Sequence, residues 1–134
     1  MDIIIGSDHA GFDLKEEIKK ALSETGDFTV KDVGAFSRDS VDYPVIAHEV
    51  AENISEGRLS RGILICGSGI GMSIVANRYR NVRAALCSNL YAVRVARQHN
   101  DANILVLGGR VLGPGLALEM VCLLYTSPSP RDRS

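Results

Sequence analysis

The chain has 134 residues, a formal net charge of −1 and 46% hydrophobic residues, values typical of one soluble globular domain. No apolar run approaches the roughly 20 residues of a membrane-spanning helix, and the amino terminus lacks the basic segment of a signal peptide. Three cysteines without CxxC spacing argue against a disulfide scaffold or zinc ribbon, so we expect a cytoplasmic protein that binds no membrane.

Short apolar runs alternate with helical patterns along the chain. Strands are predicted at residues 2–5, 28–34, 62–66, 83–87 and 103–109. Helices are predicted at residues 12–24, from the capping residue Asp42 to Gly57, and at 70–80, 89–98 and 114–124. This order predicts a single three-layer α/β/α domain over residues 1–124, with a five-stranded parallel Rossmann-like sheet. Residues 125–134 are predicted to be a disordered tail, because Pro128 and Pro130 cannot continue a helix.

Charge is unevenly distributed along the chain. Residues 1–56 carry 13 acidic and 5 basic side chains, whereas residues 57–100 carry seven arginines and no acidic residue. Solvated helix faces would explain this pattern, and so would a site for a small anion such as phosphate. Aromatic residues make up only 5% and no Lys/Arg run occurs, so we expect no nucleic-acid partner.

A glycine-rich turn follows the third strand and is the most informative stretch. It consists of Gly67, Ser68, Gly69, Ile70 and Gly71, and Cys66 directly precedes it. Backbone N–H groups of such a turn, together with a helix N-terminus, bind a phosphate, a carboxylate or a developing oxyanion. A purely structural tight turn is the alternative. The spacing is neither a dinucleotide fingerprint nor a P-loop, and we expect no cofactor.

Cys66 lies where a helix N-terminus favours the thiolate form of cysteine. A redox role for Cys66 lacks a second cysteine at close spacing. A role in acyl transfer would need His99 and Asn100 nearby. The remaining option is a thiolate that removes a proton beside an oxyanion hole. His99 itself is either a solvated helix end or a general acid–base group. The spacing of the three histidines offers no metal site.

Six short motifs resemble the ribose/galactose isomerase family, and within it the ribose-5-phosphate isomerases of type B. They are Gly-Ser-Asp-His-Ala-Gly-Phe (6–12), Asp-Tyr-Pro (42–44), Ile-Cys-Gly-Ser-Gly-Ile-Gly-Met-Ser (65–73), Ala-Asn-Arg (76–78), Arg-Gln-His-Asn-Asp-Ala-Asn (97–103) and Gly-Gly-Arg-Val (108–111). The resemblance covers about residues 1–121 in the expected order. It implies an aldose–ketose isomerase that interconverts ribose 5-phosphate and ribulose 5-phosphate without a metal or cofactor.

The resemblance also implies roles for individual residues. Cys66 matches the catalytic base, the amides of residues 67–71 would hold the enediolate, and Ser68 would relay a proton. His99 matches the acid that opens the sugar ring. The remaining matches are to sugar-binding or phosphate-binding positions, and these are Asp8, His9, Tyr43, Asn100 and Arg110.

The resemblance also implies a homodimer, or a tetramer, in which active sites are shared between subunits. His99, Asn100 and Arg110 would then reach the partner's Cys66. One departure is the carboxyl-terminal segment. The family ends in a Gly-Arg-His-x-x-Arg pattern that grips phosphate, whereas this chain reads CLLYTSPSPRDRS from Cys122. The tail therefore has the character of a non-native segment, and no phosphate role is assigned to it. The alternatives are a galactose-6-phosphate isomerase subunit, a non-catalytic sugar-phosphate binding protein and, as a third class, a cysteine hydrolase.

Overall fold

Five parallel strands form one sheet with helices on both faces in the computed structural model, which describes residues 1–126. The strands are β1 (Asp2–Ser7), β2 (Thr29–Asp32), β3 (Arg61–Cys66), β4 (Ala84–Leu86) and β5 (Ile104–Gly108). The helices are α1 (Phe12–Thr25), α2 (Tyr43–Ser55), α3 (Ile70–Ala76), α4 (Leu90–Gln98) and α5 (Pro114–Thr126), and a 3-10 turn (His9–Gly11) precedes α1. The predicted three-layer α/β/α fold is confirmed.

The spatial order of the strands is β2-β1-β3-β5-β4. From β1 the chain moves to one edge of the sheet, and from β3 it moves to the other, so the order reverses between these two neighbouring strands. Open parallel sheets bind ligands at such a reversal, beyond the carboxyl ends of the strands. The segments that follow β1 and β3 both carry predicted site residues.

Alternate strand residues supply two separate cores. Ile3 and Ile5 of β1 pack with α1, α4 and α5, whereas Ile4 between them packs with α2 and α3. On β3, Ile65 faces the first core and Cys66 the second. The central strands are therefore apolar on both faces, as expected of a parallel sheet that is covered on both sides.

Several predicted elements are shorter in the structure, and for α3 and β2 the reason is a local hydrogen bond. α3 ends at Ala76 rather than residue 80 because the Asn77 side chain binds the backbone of Ala84, accepting from its N–H at 2.8 Å and donating to its carbonyl at 3.0 Å. β2 ends at Asp32 because its carboxylate accepts the Gly34 N–H at 2.9 Å and turns the chain. Asp42 is the N-cap residue of α2, as predicted, but its side chain makes no capping hydrogen bond.

The predicted start of the disordered tail at residue 125 is wrong. α5 continues through Tyr125 and Thr126, and the Tyr125 hydroxyl donates to the buried carbonyl of Gly62 at 2.9 Å. The side chain of Tyr125 gives the helix an apolar anchor, which the pattern-based prediction overlooked. Residues 127–134, including Pro128 and Pro130, lie outside the described part of the chain.

A buried ion pair joins α1 to the end of β2. The side chain of Lys15 is fully buried, and its Nζ lies 2.8 and 2.6 Å from the two carboxylate oxygens of Asp32. Lys19 adds a third contact at 2.7 Å. Burial raises the pKa of Asp32, but the hydrogen bonds from Lys15, Lys19 and the Gly34 N–H outweigh burial, so the pKa is lowered overall.

Candidate active site

Cys66 lies at the carboxyl end of β3 with its sulfur directed at the glycine turn. Only 6% of the residue is exposed, and its Sγ accepts the N–H of Gly69 at 3.0 Å. The turn requires glycine at position 69, where φ is +85° and a Cβ would lie 2.6 Å from a methyl of Leu86. A hydrogen bond donated to this sulfur stabilises negative charge on it.

The amides around the turn offer donors for an anion. The Ser68 hydroxyl accepts the Ile70 N–H at 3.2 Å, and Sγ of Cys66 accepts that of Gly69. Among residues 1–126 no protein group accepts from the N–H groups of Gly67, Ser68 and Gly71. Amides in a turn and in the first turn of a helix have no intrahelical acceptor, so these N–H groups can donate hydrogen bonds to an oxygen of a ligand.

Two further elements form walls beside the turn. The ring of Tyr43, the first residue of α2, lies so close to Gly71 that a Cβ there would be 2.6 Å from a ring carbon. Arg110 follows β5, and its Nη1 lies 3.7 Å from the position that a Cβ on Gly67 would occupy. Its backbone N–H also donates to the Gly67 carbonyl at 3.0 Å. An aromatic ring and a guanidinium therefore adjoin the candidate oxyanion donors.

The segment after β1 completes this side of the crevice. Asp8 is buried, its N–H donates to the Ile65 carbonyl at 3.1 Å, and its carboxylate accepts the Gly11 N–H at 3.1 Å. His9 is half-buried, and its Nδ1 accepts the Val41 N–H at 3.3 Å, which leaves Nε2 as the ring nitrogen able to donate. Sequence reasoning missed Val41, because a backbone contact leaves no signal in residue type.

His99 and Asn100 do not join this group within one chain. Both are exposed and follow the last turn of α4, which runs antiparallel to the strands and ends at their amino-terminal edge. Since β3 rises roughly 3.3 Å per residue over its length, they lie about 16 Å or more from Cys66. Arg110, by contrast, adjoins the glycine turn of its own chain. That it reaches the partner's Cys66 stays a prediction.

No three His, Cys, Asp or Glu side chains are clustered so as to hold a metal ion within residues 1–126. None of the helices described there has the length and hydropathy needed to traverse a bilayer.

Comparison with known proteins identifies relatives over nearly the whole chain. The family model described as Ribose/Galactose Isomerase matches residues 3–133. The ribose-5-phosphate isomerase B of Escherichia coli K12 is 46% identical over 119 residues, 89% of this chain and 79% of the relative. The D-erythrulose-4-phosphate isomerase of Pectobacterium atrosepticum is 43% identical over 90% of this chain and 80% of its own. The structure of Clostridium thermocellum ribose-5-phosphate isomerase B superposes with a TM-score of 0.93 at 48% identity, covering 96% and 86% of the two chains.

Proposed function

This chain belongs to the ribose/galactose isomerase family, and on that premise we propose that it interconverts D-ribose 5-phosphate and D-ribulose 5-phosphate through a cis-enediolate. The observation that carries the proposal is the sulfur of Cys66, which faces a turn whose Gly67, Ser68 and Gly71 amides have no acceptor among residues 1–126. This arrangement supplies a base and an oxyanion cradle in one loop.

In the proposed reaction, the Cys66 thiolate removes the proton from C2 of the open-chain aldose and returns it to C1. The proton at C2 is weakly acidic, so removal requires stabilisation of the enediolate, and one good oxyanion donor supplies about 2.7–4 kcal/mol. The N–H groups of Gly67, Ser68 and Gly71 are the donors proposed for the two enediolate oxygens. The Ser68 hydroxyl is exposed beside them and would move the proton between O1 and O2.

Binding of the rest of the substrate is assigned to the walls of the crevice. Asp8 and the Nε2 of His9 would bind sugar hydroxyls, and the ring of Tyr43 would limit the space beside the turn. The guanidinium of Arg110 would bind the phosphate, because it is the cationic group that adjoins Gly67. The proposed proton transfer needs neither a cofactor nor a metal ion.

Ring opening is assigned to a second copy of the chain. Ribose 5-phosphate is a furanose in solution, and His99 would donate a proton to the ring oxygen, but it lies at the wrong edge of its own sheet. Apolar side chains are exposed around the Cys66 turn, as a subunit interface would require, and they are Ile70 (54%), Ile74 (53%), Leu86 (41%) and Val111 (63%). We therefore propose a homodimer in which His99 and Asn100 of one subunit complete the partner's site.

The test uses Cys66→Ala and His99→Ala, alone and mixed after unfolding and refolding together. Each single variant should bind ribose 5-phosphate yet lose roughly 100-fold or more in turnover, as expected for removal of a general base or acid. The mixture should recover up to about a quarter of wild-type activity, since heterodimers contain one intact site. Cys122→Ala, which changes the exposed cysteine of α5, is the control. Full turnover by Cys66→Ala would overturn the mechanism, and a mixture without recovery would overturn the shared site.

The choice of sugar is a separate part of the proposal. A relative of similar identity is named for a four-carbon ketose phosphate, so turnover of ribose 5-phosphate should be compared with erythrose 4-phosphate and galactose 6-phosphate. If sugar phosphates bind but no deuterium from heavy water enters C1 or C2, the result would favour a non-catalytic binding protein. Faster turnover of a hexose phosphate would favour the galactose-6-phosphate branch of the family.

A further inference from the structure

The loop between α4 and β5 carries His99 and Asn100 and is fixed by one carboxylate. We propose that Asp101 is a positioning residue that orients His99 toward the neighbouring subunit's reaction centre, an inference that rests on the proposed function. Asp101 comes between α4 and β5, at the amino-terminal edge of the sheet, whereas Cys66 ends β3 at the carboxyl edge.

Two arginines from different elements converge on Asp101. Arg97, in the last turn of α4, places Nη1 3.2 Å from one carboxylate oxygen. Arg83, which precedes β4, places Nη2 3.4 Å from the other oxygen and donates from Nε to the Asp101 carbonyl at 2.7 Å. The exposed fraction of the side chain is only 19% for Asp101 and 6% for Arg97, so both charges are largely removed from water. A carboxylate shared in this way fixes the end of α4 relative to β4.

The backbone of the loop is constrained at the same place. Asp101 adopts a left-handed conformation with φ of +50°, which aspartate and asparagine tolerate better than most residues. The Ala102 N–H donates to the Ala96 carbonyl at 3.0 Å, and Arg97 also donates to the Ala102 carbonyl at 3.0 Å. Within the segment that these bonds close, His99 and Asn100 are the exposed residues.

Arg83 is itself held by a second side chain. The Asn103 amide oxygen accepts the Arg83 N–H at 2.8 Å, and its NH₂ group donates to the Asn81 carbonyl at 2.8 Å. The loop is therefore fixed from α4, from the segment before β4 and from the start of β5. A proton donor that acts across a subunit interface needs such support, because a displacement of about 1 Å costs roughly 100-fold in rate.

The chemistry of the two sugars allows the inference to be separated from a general loss of structure. Ribose 5-phosphate must be opened before isomerisation, whereas ribulose 5-phosphate is open-chain, because its O5 carries the phosphate and cannot close a five-membered ring. Exchange of the C1 hydrogen of ribulose 5-phosphate with heavy water needs the base and the oxyanion donors but no ring opening. A positioning residue for His99 should affect the first measurement and spare the second.

The experiment compares wild type with Asp101→Asn, which keeps the shape and the tolerance for positive φ but removes the charge. Turnover of ribose 5-phosphate should fall roughly 10- to 100-fold. Deuterium entry at C1 of ribulose 5-phosphate should stay within about twofold, and adding Asp101→Asn to His99→Ala should cost less than about twofold more. Glu56→Gln is the matched control, since Glu56 ion-pairs with Arg58 beyond α2 at the same edge of the sheet.

Each outcome has one meaning. The positioning role would be overturned if Asp101→Asn lowered turnover and deuterium exchange equally, or if it left turnover unchanged. It would also be overturned if Asp101→Asn lowered turnover as much in the His99→Ala background as in wild type. A wild-type protein without turnover and without exchange would instead overturn the proposed function. Thermal unfolding of each variant identifies misfolding; if Asp101→Asn does not fold, Arg83→Lys, which loses the Nε donor to the Asp101 carbonyl, should show the same split between the two measurements.

Discussion

Gly69→Ala tests the contact between the candidate base and its turn. The position has φ of +85°, and its N–H is the donor that Sγ of Cys66 accepts at 3.0 Å. A Cβ there would lie 2.6 Å from a methyl of Leu86 and 3.2 Å from the carbonyl group of Leu107. The methyl of Leu86 can move, whereas the Leu107 backbone belongs to β5, so the turn itself must shift away from the sheet.

Two effects of different size should follow from this shift. A left-handed conformation costs an alanine about 1–2 kcal/mol of stability. Loss of the hydrogen bond to a charged sulfur should cost about 1.5–3 kcal/mol in the transition state. Since each 1.36 kcal/mol is tenfold in rate, kcat/KM for ribose 5-phosphate should fall roughly 10- to 100-fold.

Gly26→Ala is the matched control, because Gly26 has φ of +75° and nothing lies within 4 Å of a Cβ there. It should lose similar stability in urea denaturation yet keep wild-type kcat/KM in a coupled assay. A folded Gly69→Ala protein with wild-type kcat/KM would refute the idea that this amide supports the base.

Two predictions concern stability. Because the folded-state pKa of Asp32 is lowered, its ion pair with Lys15 and Lys19 stabilises the protein above about pH 4 and the contribution is lost as pH falls through the folded pKa. Asp32→Asn should lower the free energy of unfolding by about 3–5 kcal/mol at neutral pH. Between pH 5 and 2 the urea midpoint of this variant should change less than that of wild type. An equal pH dependence of the two midpoints would contradict this. Tyr125→Phe removes the hydrogen bond to Gly62 and should lower the free energy of unfolding by about 1 kcal/mol. An unchanged midpoint would show that this bond adds nothing.

Periodicity in the sequence predicted the elements well because each helix buries one stripe and the central strands β1, β3 and β5 carry buried aliphatic runs. It could not predict the strand order, which depends on contacts between residues far apart in the chain. The shorter α3 shows a similar limit, because it ends where Asn77 binds the backbone of Ala84. The burial of Tyr125 cannot be predicted from the residues around it, because its partner, the Gly62 carbonyl, belongs to a distant strand.

The candidate site could be predicted only in part. Residues that follow β1, β3 and β5 meet at one edge of the sheet, and this meeting follows from the parallel topology alone. The same topology puts the end of α4 at the other edge, so His99, to which the family resemblance pointed, lies away from Cys66 of its own chain. The bond from Val41 to His9 was missed because it depends on the backbone.

Most residues assigned to substrate binding lie in loops that follow β1, β3 and β5, whereas these central strands are packed with aliphatic side chains on both faces. Loop substitutions can therefore alter the sugar that is accepted while leaving the folding energy almost untouched. Substrate preference can therefore change in this fold without compensating substitutions in the core. This gives a physical reason why relatives of similar identity to this chain are named as isomerases of four-carbon and of five-carbon sugar phosphates.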